Sequence, residues 1–209
     1  MQNYCKTIGA LAAASALVAG TASAEVNYLL HAGWSSEYQF RGTDLGDNLI
    51  ESGIDLATEY NGFGLSAGVW TADFDTTTGG SLTETDLYGE VTKDLGFATL
   101  GVGAIWYMNE DTATTTYDDA EEVSFSLSRE LGYGVKAKLA YFWDINTDNE
   151  GYSELSLEKT FELTKCLNVG VKTALGYNVE EGQIANWVTT AKLNYAISDT
   201  ATFSPFVTA

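Results

Sequence analysis

Cysteine, histidine, proline and basic side chains are all scarce in these 209 residues: two Cys, one His, one Pro and ten Lys plus Arg against twenty-nine Asp plus Glu, a formal net charge of −19. A chain this acidic would be repelled by phosphate backbones, so nucleic acid is excluded as a partner. Cys5 stands near the N-terminus and Cys166 far from it, so a chain that loses its leader keeps one cysteine and forms no internal disulfide. After Gly20 no apolar run is long enough for a membrane-crossing helix. The lone His31 is the only candidate general base of its type, and no Ser or Asp spacing around it demands a hydrolase site. The chain is therefore expected not to be an enzyme, and no cofactor is called for.

What is present begins with Lys6, an Ala- and Leu-rich run from Ile8 to Gly20, and Ala22-Ser23-Ala24 before Glu25. A positive start, a short apolar stretch and small residues at the cleavage positions make residues 1–24 an export signal, leaving 25–209 as one domain.

From there the dominant pattern is a period of two. Ile50, Ser52, Ile54, Leu56, Thr58 and Tyr60 share one face of an extended run, with Glu51, Gly53, Asp55, Ala57 and Glu59 on the other. A second run, Phe63 to Thr71, is joined to it by Asn61-Gly62, the pair best suited to a tight hairpin turn. Similar runs recur along the chain from Asn27 to a last one at Ala201–Ala209, eleven in all, with no helix. Tight turns near Asn61, Asp94, Gly132, Lys165 and Asp199 alternate with longer polar stretches at 41–48, 73–83, 109–120, 144–151 and 180–186. This is an up-and-down antiparallel meander.

Either face of such a sheet could point inward. A closed soluble barrel of about a dozen strands would enclose an apolar hollow with nothing to fill it. Aromatic residues also collect at the run ends: Tyr60, Phe63, Phe97, Phe161 and Tyr195 at one, Tyr38, Phe40, Trp106, Tyr141, Trp143, Tyr177 and Trp187 at the other. Aromatic girdles around an aliphatic band, an export signal and strands of bilayer length predict a transmembrane β-barrel with outer-membrane lipid as its surroundings. A secreted β-sandwich is the alternative, with the same alternation and the aromatics in its core. Barrels of this class usually have an even strand number, so about twelve strands are expected, eleven visible and the last missing from the C-terminus. Pro205 lies in the final run, where it would remove a ladder donor.

Trp34-Ser35-Ser36-Glu37-Tyr38-Gln39-Phe40-Arg41-Gly42-Thr43-Asp44, together with Gly64–Trp70 and Glu84–Gly89, resembles the TorF-like family of outer-membrane porins. The segment Tyr38–Gly42 is the most specific part. The resemblance implies a β-barrel and a pore, and it brings no catalytic residues.

The polar parity would line the lumen with acidic Glu37, Glu51, Asp55, Glu59, Glu90, Glu154 and Glu158 and basic Arg41, Lys136, Lys138, Lys172 and Lys192. Charged walls set pore selectivity, and a lysine-free, acidic set of long loops would favour cations. Passive diffusion of small polar or ionic solutes with a weak cation preference is one expectation. A closed structural or surface-binding barrel, its lumen shut by salt bridges, is the other. Asp144, Asn146, Asp148 and Glu150 alternate like the start of a calcium loop, but Asn149 and Leu155 stand where such a loop wants Gly and Glu, so no metal is expected. The oligomeric state is not legible.

Overall fold

The computed structural model describes residues 26–111, 118–146 and 151–209, all of them in one antiparallel sheet or its connections. The export-signal reading of 1–24 lies outside the described residues. The strands are β1 (Asn27–Phe40), β2 (Thr43–Tyr60), β3 (Phe63–Thr76), β4 (Ser81–Asp94), β5 (Thr99–Asp111), β6 (Ala120–Glu130), β7 (Val135–Asp144), β8 (Tyr152–Thr164), β9 (Leu167–Asn178), β10 (Gln183–Ala196), β11 (Thr202–Phe203) and β12 (Phe206–Thr208). They pair in chain order from β1 to β11, and β12 also pairs with β10.

One continuous meander is incompatible with a sandwich, which packs two sheets face to face. The protein is an all-β, up-and-down barrel wall. Its curl brings the β1–β2 turn against β6, where Arg41 meets Glu122, 81 positions further along the chain. Among the described residues the sheet ends at β1 on one side and at β11 and β12 on the other.

The alternation sorts the faces as expected. Leu100, Leu127, Leu139, Leu155 and Leu175 are cross-strand partners in one continuous outer row from β5 to β9. Leu139 is 54 % exposed there, while its neighbour Ala140, on the inner face, is 5 % exposed. At the Asn61–Gly62 turn both residues have positive φ (53° and 72°), and Tyr60 pairs with Phe63, so this hairpin forms as its sequence predicts.

Three expectations are corrected. The stretch 41–48 is not a loop: Arg41 and Gly42 alone make the turn, with φ of 51° and 88°, and Phe40 pairs directly with Thr43. The expected loops 73–83 and 180–186 are likewise shortened by strands that keep pairing beyond the apolar band, to Thr76 in β3 and from Gln183 in β10. The last run, in turn, is broken at Ser204-Pro205 into β11 and β12, because a proline nitrogen cannot donate to the ladder.

The third correction is one of phase. The β1–β2 register shifts between Tyr38 and Gln39, and the β2–β3 register shifts between Asp47 and Ile50, around Asn48 at φ 57°. Each extra residue swaps the faces of the strand beyond it. Tyr38 and Phe40 therefore leave the outer girdle and turn inward, Tyr38 stacking edge-on against Phe74 at 4.9 Å. Glu37, adjacent to Tyr38 on an extended strand, is turned outward and pairs with Asp47 instead of lining the interior. The slip creates the main apolar core of the described residues, Leu49, Ala72, Phe74 and Leu82 with Tyr38, Leu45 and Trp70 against them, on the inner face at the loop end.

Cys166 lies in the turn between β8 and β9. Cys5, the other cysteine, lies outside the described residues.

Candidate functional site

The inner face carries most of the polar chemistry, and glycine decides how it is arranged. Three times a side chain reaches over a glycine on the intervening strand to bond a residue two strands away. The Tyr88 hydroxyl on β4 crosses Gly68 on β3 and donates to Asp55 Oδ1 on β2 at 2.5 Å. Glu90 on β4 crosses Gly101 on β5 and accepts from Ser126 Oγ on β6 at 2.9 Å. Tyr152 on β8 crosses Gly176 on β9 and donates to Asn186 Oδ1 on β10 at 3.0 Å. A Cβ at any of these glycines would collide with the crossing group. Gly176→Val should displace Tyr152 and cost about 1–3 kcal/mol of stability, as overpacking does. A heat-induced shift in the folded band on cold gels would measure it, and an unchanged transition would contradict the crossing.

The rest of the wall continues the pattern. Trp70 Nε1 donates to Glu51 Oε2 at 2.6 Å, and His31 Nε2 lies 3.5 Å from Asp55 Oδ2. Lys138 on β7 lies 3.9 Å from Glu90, and Lys172 donates to Glu154 at 3.1 Å.

At the loop end these wall contacts give way to a closed cage. The Arg41 guanidinium, at the tip of the β1–β2 hairpin, donates to both carboxylate oxygens of Glu122, with Nη2 to Oε2 at 2.7 Å. Tyr107 on β5 donates to the same Oε2 at 2.9 Å. Arg41 Cζ stands 4.5 Å from the Phe142 ring centre, 4.6 Å from Phe40 and 4.9 Å from Tyr152. Only Gly fits behind it: a Cβ at position 42 would lie 2.8 Å from the Ala185 carbonyl oxygen. One side chain thus ties the β1–β2 turn to β6, β7 and β8, and through Glu122 to Tyr107 on β5. Burial alone would lower the Arg41 pKa, and the Glu122 hydrogen bonds outweigh it, so the pKa is raised and the charge is held. Glu84 and Asp86 stand alongside, Glu84 taking a hydrogen bond from the Tyr38 hydroxyl, which leaves the cage with more carboxylates than cations.

The family model described as "Bacterial protein of unknown function (Gcw_chp)" matches residues 19–201. The chain belongs to this family. No curated protein and no solved structure matches it.

In this Gcw_chp chain, the structure brings together some of the residues that alternation assigns to the interior and leaves others apart. Glu51, Asp55, Glu90, Glu154, Lys138 and Lys172 are bonded as above. Arg41 stands inside, but at a hairpin tip instead of on a wall. Glu59 lies on the same parity at the turn end and is exposed. Glu158 is a cross-strand partner of both Lys136 and Lys172. Lys192 sits opposite Gly170 and Phe206. Of the calcium-like loop, Asp144 Oδ1 accepts from the Asn146 amide at 2.8 Å, an ordinary turn contact, while Asp148 and Glu150 lie outside the described residues. Among the described residues no group of three or more His, Cys, Asp or Glu is placed to hold a metal.

Sequence does not single out Glu122, Tyr107, Phe142, Tyr152 and Asn186 as a unit. Each looks like an ordinary inner-face residue, and only the barrel's curl makes them neighbours. The one signal in the chain is the Arg-Gly pair, whose two positive-φ positions suit a type I′ turn.

Proposed function

We propose that this protein is an outer-membrane porin, a barrel whose outer face meets lipid and whose charged interior passes small polar or ionic solutes with a weak preference for cations. The observation that carries this reading is the exposed apolar band. The five-leucine row is bracketed by Tyr60, Phe63, Phe97, Phe161 and Tyr195 at the turn end and by Trp106, Trp143, Tyr177 and Trp187 at the loop end, all exposed. So much outward apolar and aromatic surface suits hydrocarbon flanked by interfaces and would be an aggregation hazard in water. The resemblance to TorF-like porins agrees with it. The inner carboxylates exceed the inner cations, which is the basis for the cation preference.

A second reading, a closed structural or surface-binding barrel, is favoured by the loop-end core and the Arg41 cage, which fill the interior there. Liposome swelling and planar-bilayer recording separate the two: solute entry and unit conductance support the porin, and a folded protein with neither defeats it. Replacing Lys138 and Lys172 together by Gln removes interior positive charge opposite Glu90 and Glu154. The reversal potential in a salt gradient should then move further towards the cation value, and an unmoved potential would take these lysines out of the permeation path.

A further inference from the structure

We infer that the β1–β2 hairpin tip is the gate of this barrel, with Arg41 as its latch and the Glu122, Phe142 and Tyr152 cage as the keeper. The inference rests on the porin reading above. Three observations lead to it.

The ladder holds the tip weakly to the neighbouring strand. The tip consists of two residues at positive φ, beyond the register shift at Asp47/Ile50 that interrupts the ladder with β3, and β2 pairs with β3 only as far as Gly46. Such irregularities lower the cost of swinging a hairpin end as a unit.

The docking centres on Arg41, whose partners belong to other parts of the barrel apart from Phe40 beside it, and the Phe40 ring adds an edge-on contact with Tyr107 at 5.8 Å. Arg41 and Glu122 side chains are 19 % and 9 % exposed, and the contact is a two-point charge-assisted pair with three rings around the cation. A bond of this kind is strong when made and is lost as a whole when the tip leaves, which is the behaviour of a two-state latch.

The latch also decides the charge of the passage. Docked, Arg41 offsets the charge of Glu122; undocked, Glu122 faces the opening without its cation. Opening therefore widens the mouth and makes it more negative in one step, so the open state admits cations better than the closed state does.

The test is planar-bilayer recording of the wild type and of Arg41→Ala, with guanidinium ion as the probe. The variant should raise open probability by on the order of tenfold or more, as removal of a buried charge pair shifts a two-state equilibrium. It should also move the reversal potential towards the cation value. Millimolar guanidinium should then lower the conductance of Arg41→Ala by refilling the cage, and should leave the double variant Arg41→Ala with Glu122→Gln, which lacks the carboxylate that receives it, largely unaffected. A variant that is merely damaged and leaky would not respond to guanidinium. If Arg41→Ala conducts as the wild type does, or conducts more but ignores guanidinium, the gate is overturned while the porin reading stands. If neither protein conducts under any condition, the porin reading fails and the gate fails with it.

Discussion

Leu139→Arg should fold into phospholipid bilayers with about 2–4 kcal/mol less stability than the wild type, the cost of a cation near the midplane of the face proposed above to meet lipid. Leu139 is central in β7, lies within the leucine row between Leu127 and Leu155, and is among the more exposed of the five. Its neighbour Lys138 already carries a positive charge, but on the other face of the strand, 3.9 Å from Glu90. Two adjacent positions on one strand should thus respond oppositely to charge: Arg is costly at 139, and Lys is native at 138. Urea titrations of protein folded into liposomes measure the difference. A Leu139→Arg protein as stable as the wild type, or a wild type that stays folded and monodisperse in water without detergent, would show that the leucine row does not face lipid.

Phe74→Ala should lower stability by about 3–5 kcal/mol in the same titrations, the usual cost of emptying an aromatic site in a well-packed core. Phe74 is 2 % exposed and is enclosed by Leu49, Ala72, Leu82 and the Tyr38 ring. The same substitution at Phe63 should cost far less, because that ring is 43 % exposed at the turn end and would lose contacts with solvent or lipid instead of a packed core. The contrast separates two kinds of aromatic residue that look alike in the sequence. Equal losses at 63 and 74 would contradict a loop-end core. The Phe74 substitution also bears on the proposed gate, since a loosened Phe74 site undermines the hairpin that carries Arg41, through Tyr38.

Much of the wall is legible from local chemistry. A strand has a period of two whatever lies beyond it, so Ile50 to Tyr60 and Phe63 to Thr71 announce their faces, and Asn61-Gly62 announces its turn because few other pairs accept positive φ twice. The order of pairing comes with it, because tight turns leave consecutive strands nowhere to go but beside each other. Alternation fails where one residue is inserted. Asn48 at φ 57° costs little locally and leaves no strong mark in composition, yet it moves Glu37 out and Tyr38 and Phe40 in.

The sequence by itself determined an acidic all-β meander, with a greasy face and a charged face on nearly every strand, because those features depend on neighbours two residues apart. The tertiary structure decided which residues meet across the hollow. Arg41 finds Glu122, Phe142 and Tyr152, and Tyr88, Glu90 and Tyr152 reach partners two strands away, only because curling the sheet and placing glycines beneath them set the distances. Contacts of that kind depend on curvature and register summed over many strands, and no short stretch of chain encodes either.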